Sequence, residues 1–503
     1  MHPQKQILEG GMKASGIHAS SVILIAIVWI LLAGVPAHGM ITFEKTYGGT
    51  SWDWGTSVQQ TPDGGYVVAG FTESFGAGLW DFYLVKTDSM GTVTWDTTYG
   101  GNLDDASYSV QQTLDGGFII AGFTESFGAG YRDFYLVKTD SLGNLLWDAT
   151  YGDSSSYEIG SSVQQTSDGG YIVVGRTMGP SSTNVYLVKA DSLGNLTWDA
   201  TYGDSLYQGG YSVVQTQDGG YIIAGSTYLF FGSDSSDVYL IKTDSLGDTL
   251  WTKTFGGNLS DRGSSIQQTQ DGGYIIAGAT ESFGAGSTDV YLIKTDSAGT
   301  VLWDTTYGGS YADVGRSVYQ TLDGGYIITG VTGDWPTWDV YLIRTDSGGI
   351  LLWERTYPGG SFPDGGSSVQ ETSDGGYIIA GFTLSFGAGS YDIYLIKTDS
   401  LGQVLGIQER DPELKIEKRK PLQNKPNPFH GSTLISYSLP ASAYVTLQVF
   451  DITGRLVETL VNETQERGAH KVQWNSKDNP SGIYFCRLQV GVFTDTRKML
   501  LLR

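Results

Sequence analysis

Two series of acidic side chains recur along this chain at places where oxygen ligands could gather around a hard cation. Asp53, Asp105, Glu158, Asp261, Asp313 and Asp364 stand at the head of one recurring segment. Asp81, Asp133, Asp237, Asp289, Asp339 and Asp392 stand ahead of another, where Asn184 once takes the place of the acid. Carboxylates and backbone carbonyls are the ligands calcium takes, so calcium is the one cofactor these residues would serve. The competing use is local: an Asp in a turn accepts hydrogen bonds from neighbouring backbone N–H groups. An acid repeated in nearly every unit favours the local use, because a binding site is normally built once. A second set is aromatic. Trp52, Trp54, Trp80, Tyr131, Phe230, Phe231, Trp335, Trp338 and Tyr391 fall in segments that do not repeat. Exposed Trp and Tyr beside carboxylates suit stacking on a sugar ring or gripping a protein partner; the alternative is packing onto the rim of the fold. Phe75, Phe127, Phe283 and Phe386 recur in Ser-Phe-Gly-Ala-Gly and read as packing.

Much chemistry is excluded. No His and no Cys occurs between Met40 and Gln408. That removes Ser-His-Asp and Cys-His catalysis from this stretch, and zinc or copper sites built from imidazole or thiolate. Paired carboxylates can cleave glycosidic bonds, but Glu73, Glu125 and Glu281 recur in Thr-Glu-Ser, and the less regular Glu158 has no assignable partner. The expectation is a protein that is not an enzyme. The net charge of −23 repels nucleic acid and anionic lipid. A single cysteine, Cys486, forms no intrachain disulfide and lies in an apolar strand pattern that reads as buried packing.

The elements that must position these residues come from repetition. Asp-Gly-Gly-aromatic begins at Asp63, Asp115, Asp168, Asp218, Asp271, Asp323 and Asp374, at intervals of 50 to 53 residues. Each unit reads as four strands, as in Ser57–Thr61, then Tyr274–Gly278, Val290–Thr295 and Val301–Tyr307 of a later copy. Asp-Gly-Gly joins the first two by a tight hairpin, since Gly supplies the positive φ such turns need. Asp-Ser-x-Gly joins the last two. The second and third strands are apolar on both faces and must be covered on both sides. Seven four-stranded sheets packed radially achieve that, with the half-polar first strand on the wall of a central channel. The segment from Ile41 to Gly49 is a lone fourth strand, and the last repeat stops short of one. The first strand can therefore complete the last sheet and close the ring. The hairpin turns then lie on one face and the variable loops on the other, where binding is expected.

Residues 1–39 read as a signal peptide. Val22–Ala33 is an apolar run of 12, too short for a comfortable membrane span, with Lys5 and Lys13 upstream and small residues before Met40. Residues 406–426 are charged and Pro-bearing, as a linker is. Residues 427–503 return to short strands and fit a small Ig-like sandwich.

Two resemblances follow. The turn and tryptophan at Asp140, Gly143 and Trp147, repeated at Asp244, Gly247 and Trp251 and at Asp296, Gly299 and Trp303, resemble the quinoprotein-like propeller repeat, with a turn one residue shorter. That resemblance implies a propeller over residues 41–405 in which these groups dock successive blades. Asn427-Pro428-Phe429, Ser438-Leu439-Pro440, Gly454-Arg455, Gly468 and His470, Trp474, Gly482 and Tyr484, and Lys498-Met499 resemble, in order, the type A C-terminal sorting domain of type IX secretion. It implies export through the periplasm, the outer-membrane secretion machinery as partner, and a cell-surface or extracellular location. The resulting expectation is an all-β protein: a seven-bladed β-propeller (40–405) and an Ig-like sandwich. Its function would be glycan or protein binding, with a polysaccharide hydrolase or lyase, or a surface-layer component, as alternatives.

Overall fold

The computed structural model describes residues 41–203, 207–228, 235–404, 422–439, 443–452, 455–466, 468–476, 479–490 and 493–502. The expected signal peptide, Phe230, Phe231, Gly454 and most of the linker lie outside them. Every element described is a β-strand, and the chain divides into two compact units near residue 406.

In the first unit, each repeat folds into an antiparallel four-stranded sheet. The first blade runs Asp53–Gln60, Tyr66–Thr72, Asp81–Thr87 and Val93–Tyr99, in that order from inside to outside. The second and third strands are buried along their whole length, as their unbroken apolar sequence requires. The hairpin aspartate has a second task beyond shaping its turn. Asp63 accepts hydrogen bonds from the Gly65 N–H at 2.9 Å and the Thr61 hydroxyl at 2.5 Å, and its other oxygen meets the Lys86 ammonium at 2.9 Å. Six further blades repeat this ion pair, with Arg344 replacing lysine opposite Asp323.

The ring closes as the complementary half-blades imply. Phe43–Tyr47 pairs antiparallel with Asp392–Thr398 as the outermost strand of blade 7, Phe43 opposite Lys397 and Tyr47 opposite Ile393. Between blades 7 and 1 the core joins Phe43, Tyr47, Ile393 and Leu395 to Val58, Val68 and Val85. Around the channel, a side-chain ladder replaces the backbone partner that the innermost strands lack. A serine in each of the seven blades accepts the next blade's backbone N–H, from Ser57 with Val110 at 3.2 Å round to Ser368 with Val58 at 3.3 Å. Gln59 does the same for Gln112 at 2.6 Å. The channel-wall glutamines are thus structural staples between blades.

At the outside, tryptophan and tyrosine of five fourth strands dock on the following blade; blade 4 has Phe255 in place of the tyrosine, and blade 7 has Phe43 in place of the tryptophan. Trp95 and Trp147 cover Gly143 and Gly194 so closely that an added Cβ would fall 2.7 Å from either ring. The Tyr99 and Tyr151 hydroxyls donate to the carbonyls of those same glycines at 2.6 and 2.7 Å. The docking partner of each tryptophan is therefore the turn glycine of the next blade.

The second unit packs a three-stranded sheet (Gln423–Lys425, Ser432–Leu439, Gly468–Asn475) against a five-stranded one (Phe429–His430, Phe493–Leu502, Gly482–Val490, Ala443–Asp451, Leu456–Gln465). Trp474, Phe429, Tyr437, Tyr484 and Cys486 fill the space between them.

Candidate functional site

Every innermost strand carries a β-bulge at the same position. Pairing with the second strand skips one residue between Gly55 and Ser57, and at the equivalent place in the six other blades. The skipped residues are Thr56, Tyr108, Ser161, Tyr211, Ser264, Arg316 and Ser367. A bulge re-aims its extra side chain, and here all seven turn into the channel. They line a cavity of about 550 Å³ together with Trp54, Ile159, Arg176 and Arg262. The cavity opens on the variable-loop face. Its lining differs from blade to blade, whereas the strands that carry it barely differ.

The charge of this mouth is opposite to that of the chain. Arg176, Arg262 and Arg316 face it, and among the described residues none of their guanidinium groups has an ion pair; the Arg176 Nε is buried without a hydrogen-bond partner. Arg316 stands over the Phe382 ring at 5.3 Å, and desolvation pushes its pKa down to about 10. Burial pushes the Tyr108 and Tyr211 hydroxyls up, so both are neutral donors. The arrangement can grip an anionic or hydroxyl-rich ligand.

The two acidic series meet in pairs between blades. An atom added to Gly100 would lie 2.2 Å from Asp81 Oδ1 and 2.7 Å from Asp105 Oδ2, and at Gly152 it would lie 2.2 Å from Asp133 Oδ1 and 2.6 Å from Glu158 Oε2. Asp53 meets Asp392 in the same way, Asp261 meets Asp237, and Asp313 meets Asp289. Asp339 and Asp364 both border Gly359. In the remaining gap both acids are replaced at once, by Asn184 and Gln208. Ten of the twelve carboxylates are buried, Asp237 and Asp339 being partly exposed, and they accept local bonds: Asp105 from the Gly101 N–H and the Ser126 hydroxyl, each at 2.7 Å, and Asp81 from Ala77 and Gly78 N–H, each at 3.0 Å. Among the described residues no group of three or more acidic, His or Cys side chains is arranged to hold a metal ion.

These pairs fix how stability depends on pH. Desolvation, with help from the facing acid, raises the pKa of Asp81, Glu158, Asp237, Asp313 and Asp364. A raised folded-state pKa means that stability is gained as pH falls through it. The hairpin aspartates run the other way. Slight desolvation pushes Asp63, Asp115 and Asp168 up, but hydrogen bonds from threonine, lysine and backbone, with the lysine charge, hold them at about 2. Their contribution is complete above the unfolded value near 4 and is lost as pH falls towards about 2. The melting midpoint should therefore rise on mild acidification from neutrality and fall below about pH 4. The double substitution Asp81→Asn, Asp105→Gln, which copies the amide gap, should flatten the rise. A midpoint falling steadily from pH 7 to 4 would contradict this account.

The aromatic residues separate into three groups. Trp54 lies 3.7 Å from Phe382 in a stacked pair and also contacts Tyr391, which is buried beneath it and beneath Trp52. Tyr391 is thus packed inside, not presented to a ligand. Trp80 leans on Phe71 and donates its indole N–H to Glu73 at 2.6 Å. Tyr131, 69% exposed, stacks on Tyr157. Trp335, 63% exposed, meets Trp338 edge-on. Of the aromatic candidates among the described residues, only Trp54 reaches the channel mouth. Phe75, Phe127 and Phe283 rest on Tyr83, Tyr135 and Tyr291 of their own blades.

In the second unit the Asn427 side chain clamps the last strand, donating to the Lys498 carbonyl at 2.9 Å and accepting the Leu500 N–H at 2.8 Å. Pro428 leads directly into Phe429, which is buried against Trp474; Tyr484 packs on the other side and donates to the Pro480 carbonyl. Gly482 pairs with Leu501, while Arg455 holds Asp451 at the surface at 3.0 Å. The signature thus divides into a core and an exposed rim, and the sequence over this unit matches a known family. Residues 426–501 are a secretion system C-terminal sorting domain. The sorting domain directs the chain to type IX secretion, and so to the cell surface or the extracellular space. No helix among the described residues is long and apolar enough to cross a membrane. No curated protein is similar to the chain in sequence. Among solved structures, PorZ, a surface component of the type IX secretion system of Porphyromonas gingivalis, is 13% identical with a TM-score of 0.39 over 88% of this chain, which spans 58% of PorZ. A PL25 ulvan lyase is 12% identical over 72% of this chain and 97% of its own, with a TM-score of 0.47. A puromycin hydrolase is 12% identical over 78% and 62%, with a TM-score of 0.46. Likeness at this level carries no functional argument.

Proposed function

We propose that the exported chain is a surface or secreted binding protein whose propeller seats a glycan at the mouth of its channel. One observation carries this reading: seven bulges, one per blade, turn side chains that differ between blades into a single concave mouth of about 550 Å³. A rigid scaffold with variable residues converging on one cavity is how binding surfaces are built. The hydroxyls of Ser161, Ser264 and Ser367 have no partner among the described residues and face the same space, a lining suited to sugar hydroxyls. The carboxylates that could serve a hydrolase favour binding over catalysis by their position. Glu158 and Asp364 are 2% and 0% exposed, wedged between blades. The test is a glycan array probed with the purified exported chain and with Ser161→Trp, which fills the mouth. Bound sugars should lose at least tenfold in affinity with Ser161→Trp. Unchanged binding by the variant would place the seat elsewhere.

A further inference from the structure

We infer that the channel mouth selects sugars bearing an oxyanion, a carboxylate or a sulfate ester, through Arg176, Arg262 and Arg316. This rests on the binding reading above and adds the ligand's charge. In a chain of net charge −23, three arginines converge on one cavity, and among the described residues no carboxylate pairs with them. Most other cations of the propeller are paired: every hairpin aspartate has its lysine or arginine, and Arg132 holds Glu125 at 2.7 Å. Arg176 and Arg316 are partly buried, and guanidinium groups left there without partners are costly unless a ligand completes them. Arginine's planar fork matches carboxylate and sulfate oxygens two at a time.

The three arginines enter from different blades and different strands. Arg176 comes from the second strand of blade 3, Arg262 from the innermost strand of blade 5, and Arg316 is the bulge residue of blade 6. They therefore reach the opening from separate blades along one side of the ring, blades 3 to 6. Beside them Tyr108 and Tyr211, bulge residues of blades 2 and 4, present rings and neutral hydroxyls. Rings for the sugar face, hydroxyls for its hydroxyls and guanidinium groups for its oxyanion favour an acidic glycan over an acidic peptide, which has no flat hydroxylated face to stack.

The experiment is calorimetric titration of the full exported chain with four probes: trigalacturonic acid, a κ-carrageenan tetrasaccharide, neutral galactotriose and a hexaglutamate peptide. At least one acidic sugar should bind tenfold or more tightly than galactotriose, and binding should weaken as NaCl rises. Which acidic sugar binds distinguishes carboxylate from sulfate. Arg262→Gln, at an exposed side chain, and Arg176→Gln should each lower that affinity about tenfold without lowering the melting midpoint. Equal binding of neutral and acidic sugars would overturn the charge assignment and leave the glycan seat standing. Hexaglutamate binding at these arginines, with no sugar bound, would overturn the glycan class. No binding of any probe would overturn both.

Discussion

A chain lacking Ile41–Gly49 should melt about 10 °C below the parent and aggregate as it does so. The segment contributes five backbone pairings to the edge of blade 7 and buries Phe43 and Tyr47 to 6% and 9% exposure. Each of those two side chains is worth roughly 1.5–3 kcal/mol of burial, and each ladder hydrogen bond about 1 kcal/mol net. The Tyr47 hydroxyl also donates to the Gly91 carbonyl of blade 1 at 2.7 Å, so its loss loosens the seam between the last blade and the first. Deletion exposes the edge of Asp392–Thr398, an apolar strand with unpaired backbone groups and a template for pairing between molecules. Adding a synthetic peptide of residues 41–49 in excess should restore part of the midpoint by mass action. A truncated chain that melts within about 2 °C of the parent would show that closure does not depend on this strand.

The closing strand was readable because its signal is local. Thr-Tyr-Gly-Gly at residues 46–49 copies the ends of the fourth strands, and a half-unit at each terminus has one economical use. The blades were readable for the same reason: Asp-Gly-Gly dictates a turn, and unbroken apolar runs demand cover on both faces. The channel mouth was hidden because its chemistry depends on a one-residue skip in pairing. Whether Arg316 faces the channel or the neighbouring blade turns on a bulge that period-two patterning does not reveal. Aligning the repeats on Asp-x-Gly-x-Ser offers a signal, since both x positions vary while the serine is present in all seven and the glycine gives way once, at Ser107. Arg176 stands where Phe71, Phe123 and Phe382 stand in other blades, a departure that packing does not require. The acids show the same limit. Each series was visible along the chain, but only the fold brings Asp81 to Asp105. The joint change to Asn184 and Gln208 in one gap has meaning only once the two are known to face each other.

The bulge that builds the mouth depends on a glycine opposite it, and Gly122→Ala should be among the most damaging single substitutions in the propeller. Gly122 pairs with Ser107 at the skipped step. Its Cβ would fall 1.9 Å from the Ala106 carbonyl oxygen and 2.8 Å from the Ala106 carbonyl carbon. Both are backbone atoms held by the ladder, so neither can yield without opening the sheet. Gly70, Gly175, Gly225, Gly278, Gly330 and Gly381 meet the same obstacle at 1.7 to 1.9 Å in their own blades. The expected cost is about 3 kcal/mol or more, a fall of roughly 5 °C in the midpoint. Because the displaced strand carries Tyr108, ligand affinity should fall with it. Gly116→Ala separates collision from backbone strain. Gly116 has a φ of +84° in the hairpin turn with nothing within 4 Å of its Cβ position, so alanine there meets only the left-handed penalty of about 1–2 kcal/mol. It lies on the opposite face and should leave binding unchanged. Equal losses from the two substitutions would mean that glycine serves conformational freedom at both, and that close approach of the strands does not set the bulge.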